Sequence, residues 1–269
     1  MVTTTNPEKP LAGADITAVR AAIRSGAYRD HTAGLAEGKL QANLAILSTE
    51  YATDFETFCR ANDRPCPLVG MTEVGNPNWS ALGDIDVRTD IPSYNVYRHG
   101  ELVDTVADIK DLWQDDHVAF ALGCSFTFEN ALLKAGIRML HIEHDLTVPM
   151  YRTSIELTPA GPFGGGMVVS MRQIPFHQVE LAKEVTAAFP WAHGAPVHVG
   201  DPDNIGVADF SKPDWGDAPV PSDGVPVFWA CGVTPQNALA AAKPPLCITH
   251  TPGRMLVTDI EDRADSFIK

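Results

Sequence analysis

Two stretches far apart in the chain, HVAFALGCSFTFENALLKAGI (His117 to Ile137) and VPVFWACGVTPQNALAAA (Val225 to Ala242), share one arrangement. Each is an apolar run, then a turn carrying Gly and Cys, then a helical pattern. The run HVAFALG reads as a strand buried on both faces, of the kind found inside parallel sheets. A chain that passes from a buried strand straight into a helix builds layered α/β structure. Clefts in open sheets form beyond the carboxyl ends of the strands, where helix N-termini point. The unpaired N–H groups there attract anions and lower the pKa of a nearby thiol. Cys124 with Ser125, a candidate N-cap, and Cys231 just before Thr234-Pro235 stand where a small acid could be gripped. The competing reading is that both cysteines merely end buried strands, since Cys packs as a small hydrophobe.

The rest of the chain sets these junctions in context. Residues 14 to 62 predict helices: Asp15 caps a first one with Ile16, Val19 and Ile23 on one face, and Leu40, Leu44 and either Ile46 or Leu47 continue the pattern toward Phe55, Phe58 and Cys59. SYNVYRHGELVDTV predicts a hairpin turning at His99-Gly100, and ADIKDLW a short helix. IRMLHIEHD predicts a strand, TSIELT and GGGMVVSMRQI a strand pair, and PFHQVELAKEVTAAFP an amphipathic helix. APVHVGD predicts a further strand. A Pro/Asp-rich loop (201 to 224) precedes a final strand, helix, strand, strand. The fold class is α/β in a two-part architecture: an α/β domain (1–143 and 225–269) interrupted by a smaller α+β domain (144–224).

Composition narrows the partners. The formal charge is −14 over 269 residues. That argues against nucleic acid or an anionic membrane, both of which select basic surfaces. A local basic pocket for a small carboxylate substrate stays open, and the charge does not set the oligomeric state, so a homo-oligomer stays open too. Five cysteines, odd in number and without a CxxC pair, point to free thiols in a reducing compartment. The first residues, MVTTTNPEKPLAGADI, lack the apolar core of a signal peptide, so the expectation is a soluble cytoplasmic protein.

Histidines supply the acid/base candidates. HIEHD and HGAPVHVGD each place two His and a carboxylate together, and ITHTPG adds His250. Their spacing is not the helical i, i+4 pattern of a zincin, so no metal and no cofactor is expected. GPFGGG is followed by a strand rather than a helix, and there is no P-loop and no G-x-S-x-G elbow. The candidate catalytic set is Cys124, Ser125, Glu129, His193, His198, Cys231 and His250. Arg152, Arg172, Thr234 and Gln236 are the candidate substrate-binding residues, the two arginines as carboxylate clamps.

The strings QANLAIL, DFETFCRAN, RTDIPSYNVYRHGE, FALGCSFTFENALLKAGI, HGAPVHVGDP, VPVFWACGVTPQ and ITHTPGRMLVTD resemble the UPF0317 (DUF1445) family of hydro-lyases over about residues 15 to 260. Arg254 departs from that pattern, which more often carries His there. The family is similar to the domain of mitochondrial D-glutamate cyclase, which dehydrates D-glutamate to 5-oxo-D-proline. The resemblance implies a two-part α/β structure and a lyase acting on a small amino or carboxylic acid. It brings no catalytic residues with it. The alternative is a non-catalytic binding protein or enzyme subunit for 5-oxoproline or a related metabolite.

Overall fold

Asp15 accepts hydrogen bonds from the amides of Thr17 (2.8 Å) and Ala18 (3.0 Å), and so caps helix α1 (Ile16–Arg24) as its sequence predicts. The structure is a computed structural model that describes residues 11 and 13–262. The reading of the first ten residues as lacking a leader lies outside the described residues. Among the described residues no helix is long and apolar enough to cross a membrane.

Two sheets organise the mixed α/β fold. The first orders its strands β2 (Leu68–Met71), β5 (His117–Gly123), β1 (Lys39–Ser48), β10 (Cys247–His250), β3 (Tyr94–Arg98) and β4 (Glu101–Val106), with β11 (Leu256–Glu261) also on β1. The second orders β6 (Met150–Glu156), β7 (Gly166–Ile174), β9 (Val225–Ala230) and β8 (His198–Val199). The remaining helices are α2 (Thr49–Ala61), α3 (Phe126–Lys134), α4 (Leu140–Glu143), α5 (Val179–Ala187) and α6 (Val233–Ala242).

Several expectations are corrected. Residues 39–48 form β1, not a helix: both faces of this strand are covered, so the alternation that betrays a strand is missing. The 3- and 4-residue spacing of Leu40, Leu44 and Leu47 then imitates a helical stripe. IRMLHIEHD holds the single helical turn α4, not a strand; Arg138 pairs with Glu143 at 2.5 Å, and Asp145, at φ 54°, ends the turn. ADIKDLW makes a turn only, closed by Trp113 N–H on Ile109 O (2.9 Å). β5 is buried on both faces, but its neighbour runs against it: Thr72 N–H reaches Ala119 O (2.9 Å) and Gly75 N–H reaches His117 O (2.8 Å). The pairings of β1 with β10 and β11, of β10 with β3 and of β3 with β4 are antiparallel as well.

The hairpin of β3 and β4 turns at His99 (φ 50°) and Gly100 (φ 83°), two left-handed residues as a tight two-residue turn requires. The strands and helix expected over 225–261 are all present.

The chain divides into two compact units. One takes residues up to Glu50, Gly70–Ala121 and those from Pro244 on; the other takes Tyr51–Val69 and Leu122–Lys243. The second unit therefore holds 144–224 together with both Gly/Cys junctions. Its core lies on one face of the second sheet, where Phe128 and Leu132 of α3 and Val179 and Ala182 of α5 pack on Ile174, Val227 and Trp229. Trp229 spends its indole N–H on Thr186 Oγ1 (3.1 Å), so the largest side chain in this core is satisfied as well as buried.

Candidate active site

Within the second unit, strand alternation decides which side chains meet. The register pairs Ser170 with Trp229 and Arg172 with Val227, so these four lie on the face covered by α3 and α5. Met171 pairs with Phe228, and Phe228 with His198, which puts His198 on the opposite face. There its ring lies 5.7 Å from that of Phe228 and its Nε2 bonds to Asp201 O (2.7 Å). His198 is separated from the Arg172 group by the sheet itself.

Arg172 is the centre of the covered face. Its side chain is 1% exposed, and every nitrogen of the guanidinium has a partner. Nε donates to Glu129 Oε1 (3.2 Å), NH1 to Ser170 Oγ (2.6 Å), and NH2 to Glu129 Oε1 and, at 3.5 Å, to Ser125 Oγ. The rings of Phe128 and Trp229 lie 4.9 and 5.4 Å from the guanidinium carbon. Such desolvated cation–π contacts contribute up to about 2 kcal/mol each. His141 Nε2 lies 3.4 Å from the same Glu129 Oε1. Burial raises the pKa of the Glu129 carboxyl, but Arg172 and His141 outweigh it and bring the value down to about 2. Glu129 is therefore held as a carboxylate.

The two cysteines stand beside this ion pair, and each thiol feels the charge of Glu129. Cys124 also feels Cys231, and Cys231 feels Arg172 and bonds through its sulfur to Ser170. The amides of Phe126 and Val233, at the two helix starts, favour the respective thiolates. Burial dominates nonetheless: the Cys124 thiol is pushed up to about 12 and that of Cys231 is raised. Both sulfurs are protonated at neutral pH, contrary to the expectation of an activated thiol.

The helix starts differ from their sequence reading. Ser125 is itself in helical conformation and makes no capping bond. Thr234 lies inside α6 and exchanges hydrogen bonds with Val168 N (3.0 Å) and O (3.1 Å), which ties the helix to β7 and commits the hydroxyl proton to the backbone. Gln236 is half-buried in the first turn of α6. Gly123 must be glycine, since a Cβ there would collide with the carbonyl of Trp191. That close approach brings the 191–196 segment down on the Cys124 turn.

His193 belongs to that segment. It is 1% exposed and sits in the left-handed region at φ 75°, a conformation that costs a non-glycine residue roughly 1–2 kcal/mol. Its Nδ1 donates to Arg64 O (2.8 Å), which fixes the tautomer with the lone pair on Nε2. Burial, helped by the charges of Arg172 and Arg64, lowers its pKa to about 4. The ring is neutral, with its basic nitrogen available.

Arg152 and His250 fall outside this group. Arg152 is 61% exposed, pairs with Asp214 (3.4 Å) and lies 4.8 Å above Trp215. His250 lies in the other unit, on β10, where its Nδ1 receives the N–H of Leu44 (3.1 Å) and burial lowers its pKa to about 4. His141 and Ser170 were missed as site residues. Their link to Arg172 joins segments with no common motif, and the only signal was the His-Glu-His-Asp cluster itself. His141 and Arg172 also line a small recess with Leu140, Pro149 and Val220. Among the described residues no group of three or more His, Cys, Asp or Glu is placed to hold a metal ion.

The second unit of this mixed α/β chain thus gathers a buried Arg–Glu–His network, two protonated thiols and a neutral imidazole. The family model for D-glutamate cyclase matches residues 118–259, and the chain belongs to that family. A protein of Dinoroseobacter shibae, provisionally named a hydro-lyase, is 60% identical over 96% of this chain and 85% of its own. One of Jannaschia sp., with the same name, is 58% identical over 95% and 97%. One of Ruegeria pomeroyi is 57% identical over 95% and 94%. These relatives support a lyase. A nitrogen repressor-like protein from Methanococcus jannaschii aligns at a TM-score of 0.39 and 12% identity over 85% of this chain and 90% of its own, too slight a likeness for any inference.

Proposed function

We propose that the chain closes a small amino dicarboxylate into a lactam with loss of water, converting D-glutamate to 5-oxo-D-proline. The observation that carries this reading is the placement of Cys124 and Cys231, at two helix starts, against the buried Arg172–Glu129 pair. In the reaction the amine nitrogen attacks the γ-carboxyl carbon; a C–N bond forms and a C–O bond breaks. Both protons lost by the ammonium nitrogen leave on the departing oxygen as water, so no net proton is exchanged.

The groups suit that chemistry. His193 Nε2 takes the two protons of the ammonium nitrogen in turn and passes each to the leaving oxygen. The two S–H groups and the fixed charge of Arg172 stabilise negative charge on the tetrahedral carbon's oxygen. Holding nitrogen and carboxyl together supplies much of the rate gain. Glu129 is locked as a weakly basic carboxylate and His193 is a weak base. Neither suits removal of a carbon-bound proton, which the rival elimination of water to an alkene requires.

The test is 5-oxoproline formation from D-glutamate by the wild type, Cys124→Ala and Cys231→Ala. Loss of about 10-fold or more in each variant is expected from a donor removed at the reacting oxygen. Wild-type rates in both would take the thiols out of the mechanism. An alkene absorbance from a hydroxy acid, with no lactam from glutamate, would favour the elimination suggested by the names of the relatives.

A further inference from the structure

Glu129 commits one of its two carboxylate oxygens to the protein. Oε1 accepts from Nε (3.2 Å) and NH2 of Arg172, and His141 Nε2 lies 3.4 Å from it. Oε2 accepts no hydrogen bond from any described residue. It is not sealed either. Among the described residues Gln41 Oε1 alone is an enclosed side-chain oxygen or nitrogen without a partner, so Oε2 of Glu129 reaches solvent. A residue 7% exposed therefore presents one bare oxygen of a carboxylate that Arg172 keeps ionised. Polar atoms on buried side chains are nearly always paired within a protein, so a bare one marks where a donor from outside the chain can dock. The group stands at the first turn of α3. Glu129 N–H donates to Ser125 O (3.1 Å), and Ser125 Oγ lies 3.5 Å from the same Arg172 NH2 that holds Oε1. The carboxylate belongs to the helix turn that follows Cys124 and Ser125, and its charge reaches the thiols of both Cys124 and Cys231.

We propose that Glu129 Oε2 receives the ammonium group of the substrate, which makes Glu129 the residue that selects an amino acid over other small acids. This assignment rests on the ring-closure reading above, in which the amine is the nucleophile. An ionised carboxylate has lone pairs on both oxygens, so it can hold a guanidinium through one and an ammonium through the other. The charges of Arg172 and Glu129 cancel as a pair. An ammonium bonded to Oε2 lies nearer the carboxylate than the guanidinium, so attraction outweighs repulsion. Because Glu129 is a weak base, it binds the ammonium without taking its proton, which is left for His193. After that transfer the amine retains N–H bonds, and one kept on Oε2 turns the nitrogen's lone pair away from Glu129.

The experiment compares D-glutamate with D-2-hydroxyglutarate, in which a hydroxyl replaces the ammonium, as ligands of the wild type, Glu129→Gln and Glu129→Asp. Affinity for D-glutamate is read as KM where lactam forms and by calorimetry where it does not. The hydroxy acid is followed by calorimetry, and circular dichroism checks each variant's fold. Glu129→Gln keeps an oxygen for Arg172 and puts an NH2 group where Oε2 was. The expected result is a wild type that prefers D-glutamate, and a loss of about 10- to 100-fold in its affinity in Glu129→Gln. The hydroxy acid should shift by no more than a few-fold, whereas a merely structural role would weaken both ligands alike. If Glu129→Gln unfolds, the assignment is read from Glu129→Asp, which keeps the charge, draws the carboxylate back and should lose part of the preference. Equal losses for the two ligands in a folded variant, no loss in either, or a wild type without the preference would overturn the ammonium site. Ring closure would still stand wherever lactam forms. A wild type that makes no lactam, yet prefers D-glutamate in a Glu129-dependent way, would overturn the reaction and keep the ammonium site.

Discussion

Arg172 and Glu129 form an ion pair whose side chains are 1% and 10% exposed, between elements 43 residues apart in sequence. Each partner holds the other in its charged form. Removing one leaves an uncompensated charge in the core of the second unit, which costs roughly 3–5 kcal/mol, whereas replacing both with apolar residues costs far less. Glu129→Leu and Arg172→Met should each lower stability by about that amount in urea unfolding, and the double variant should recover much of it. Additive losses would show that the two do not act as a pair.

The thiols give a second prediction. Cys124 is partly exposed, yet its pKa is pushed up to about 12 by burial. Iodoacetamide reacts with the thiolate, so alkylation of Cys124 should be slow at pH 7 and still accelerating at pH 10. Mass spectrometry of the modified peptide, followed against pH, measures this. A rate that levels off near pH 8 would mean an ordinary or activated thiol.

The buried histidines make the fold sensitive to acid. His193 and His250 have folded values of about 4 against 6.5 when exposed, so the unfolded chain takes up protons first. Their contribution is complete above pH 6.5 and is lost as pH falls toward 4, by about 3 kcal/mol for each histidine. Glu129 adds a separate loss below pH 4.5, continuing to about 2. His250→Gln, which keeps an acceptor for Leu44 N–H, should flatten the fall in stability between pH 6.5 and 4. An unaltered slope in that variant would show that His250 titrates normally.

How much of this was legible depended on how local each cause is. The Asp15 cap, the His99-Gly100 turn and both Gly/Cys junctions are set by neighbouring residues, and the sequence displays them. β1 was misread because burial on both faces erased its alternation. Arg172 and Glu129 were visible as candidates, but their pairing, which keeps Glu129 ionised, depends on the antiparallel register that carries Arg172 to the α3 side. The same register carries His198 to the other face. His141 was overlooked for a similar reason: nothing near it in sequence announces Glu129.

Gly123 offers a test of the loop that carries His193. A methyl group there would meet the Trp191 carbonyl, which is backbone and has no flexible side chain to yield. Gly123→Ala should displace residues 191–196, cost on the order of 1–3 kcal/mol and abolish turnover. Stability and activity both near wild type would mean that the 191–196 segment does not rest on the Cys124 turn.

The most direct measurement is lactam formation from D-glutamate by the wild type and by His193→Gln, as a function of pH. The neutral His193 ring, at about 4, predicts a wild-type rate that is flat from pH 5 to 8 and falls below pH 5. It predicts a kcat at least about 100-fold lower in His193→Gln with KM nearly unchanged. A wild type that produces no 5-oxoproline, or a variant that produces it at the wild-type rate, would contradict the account.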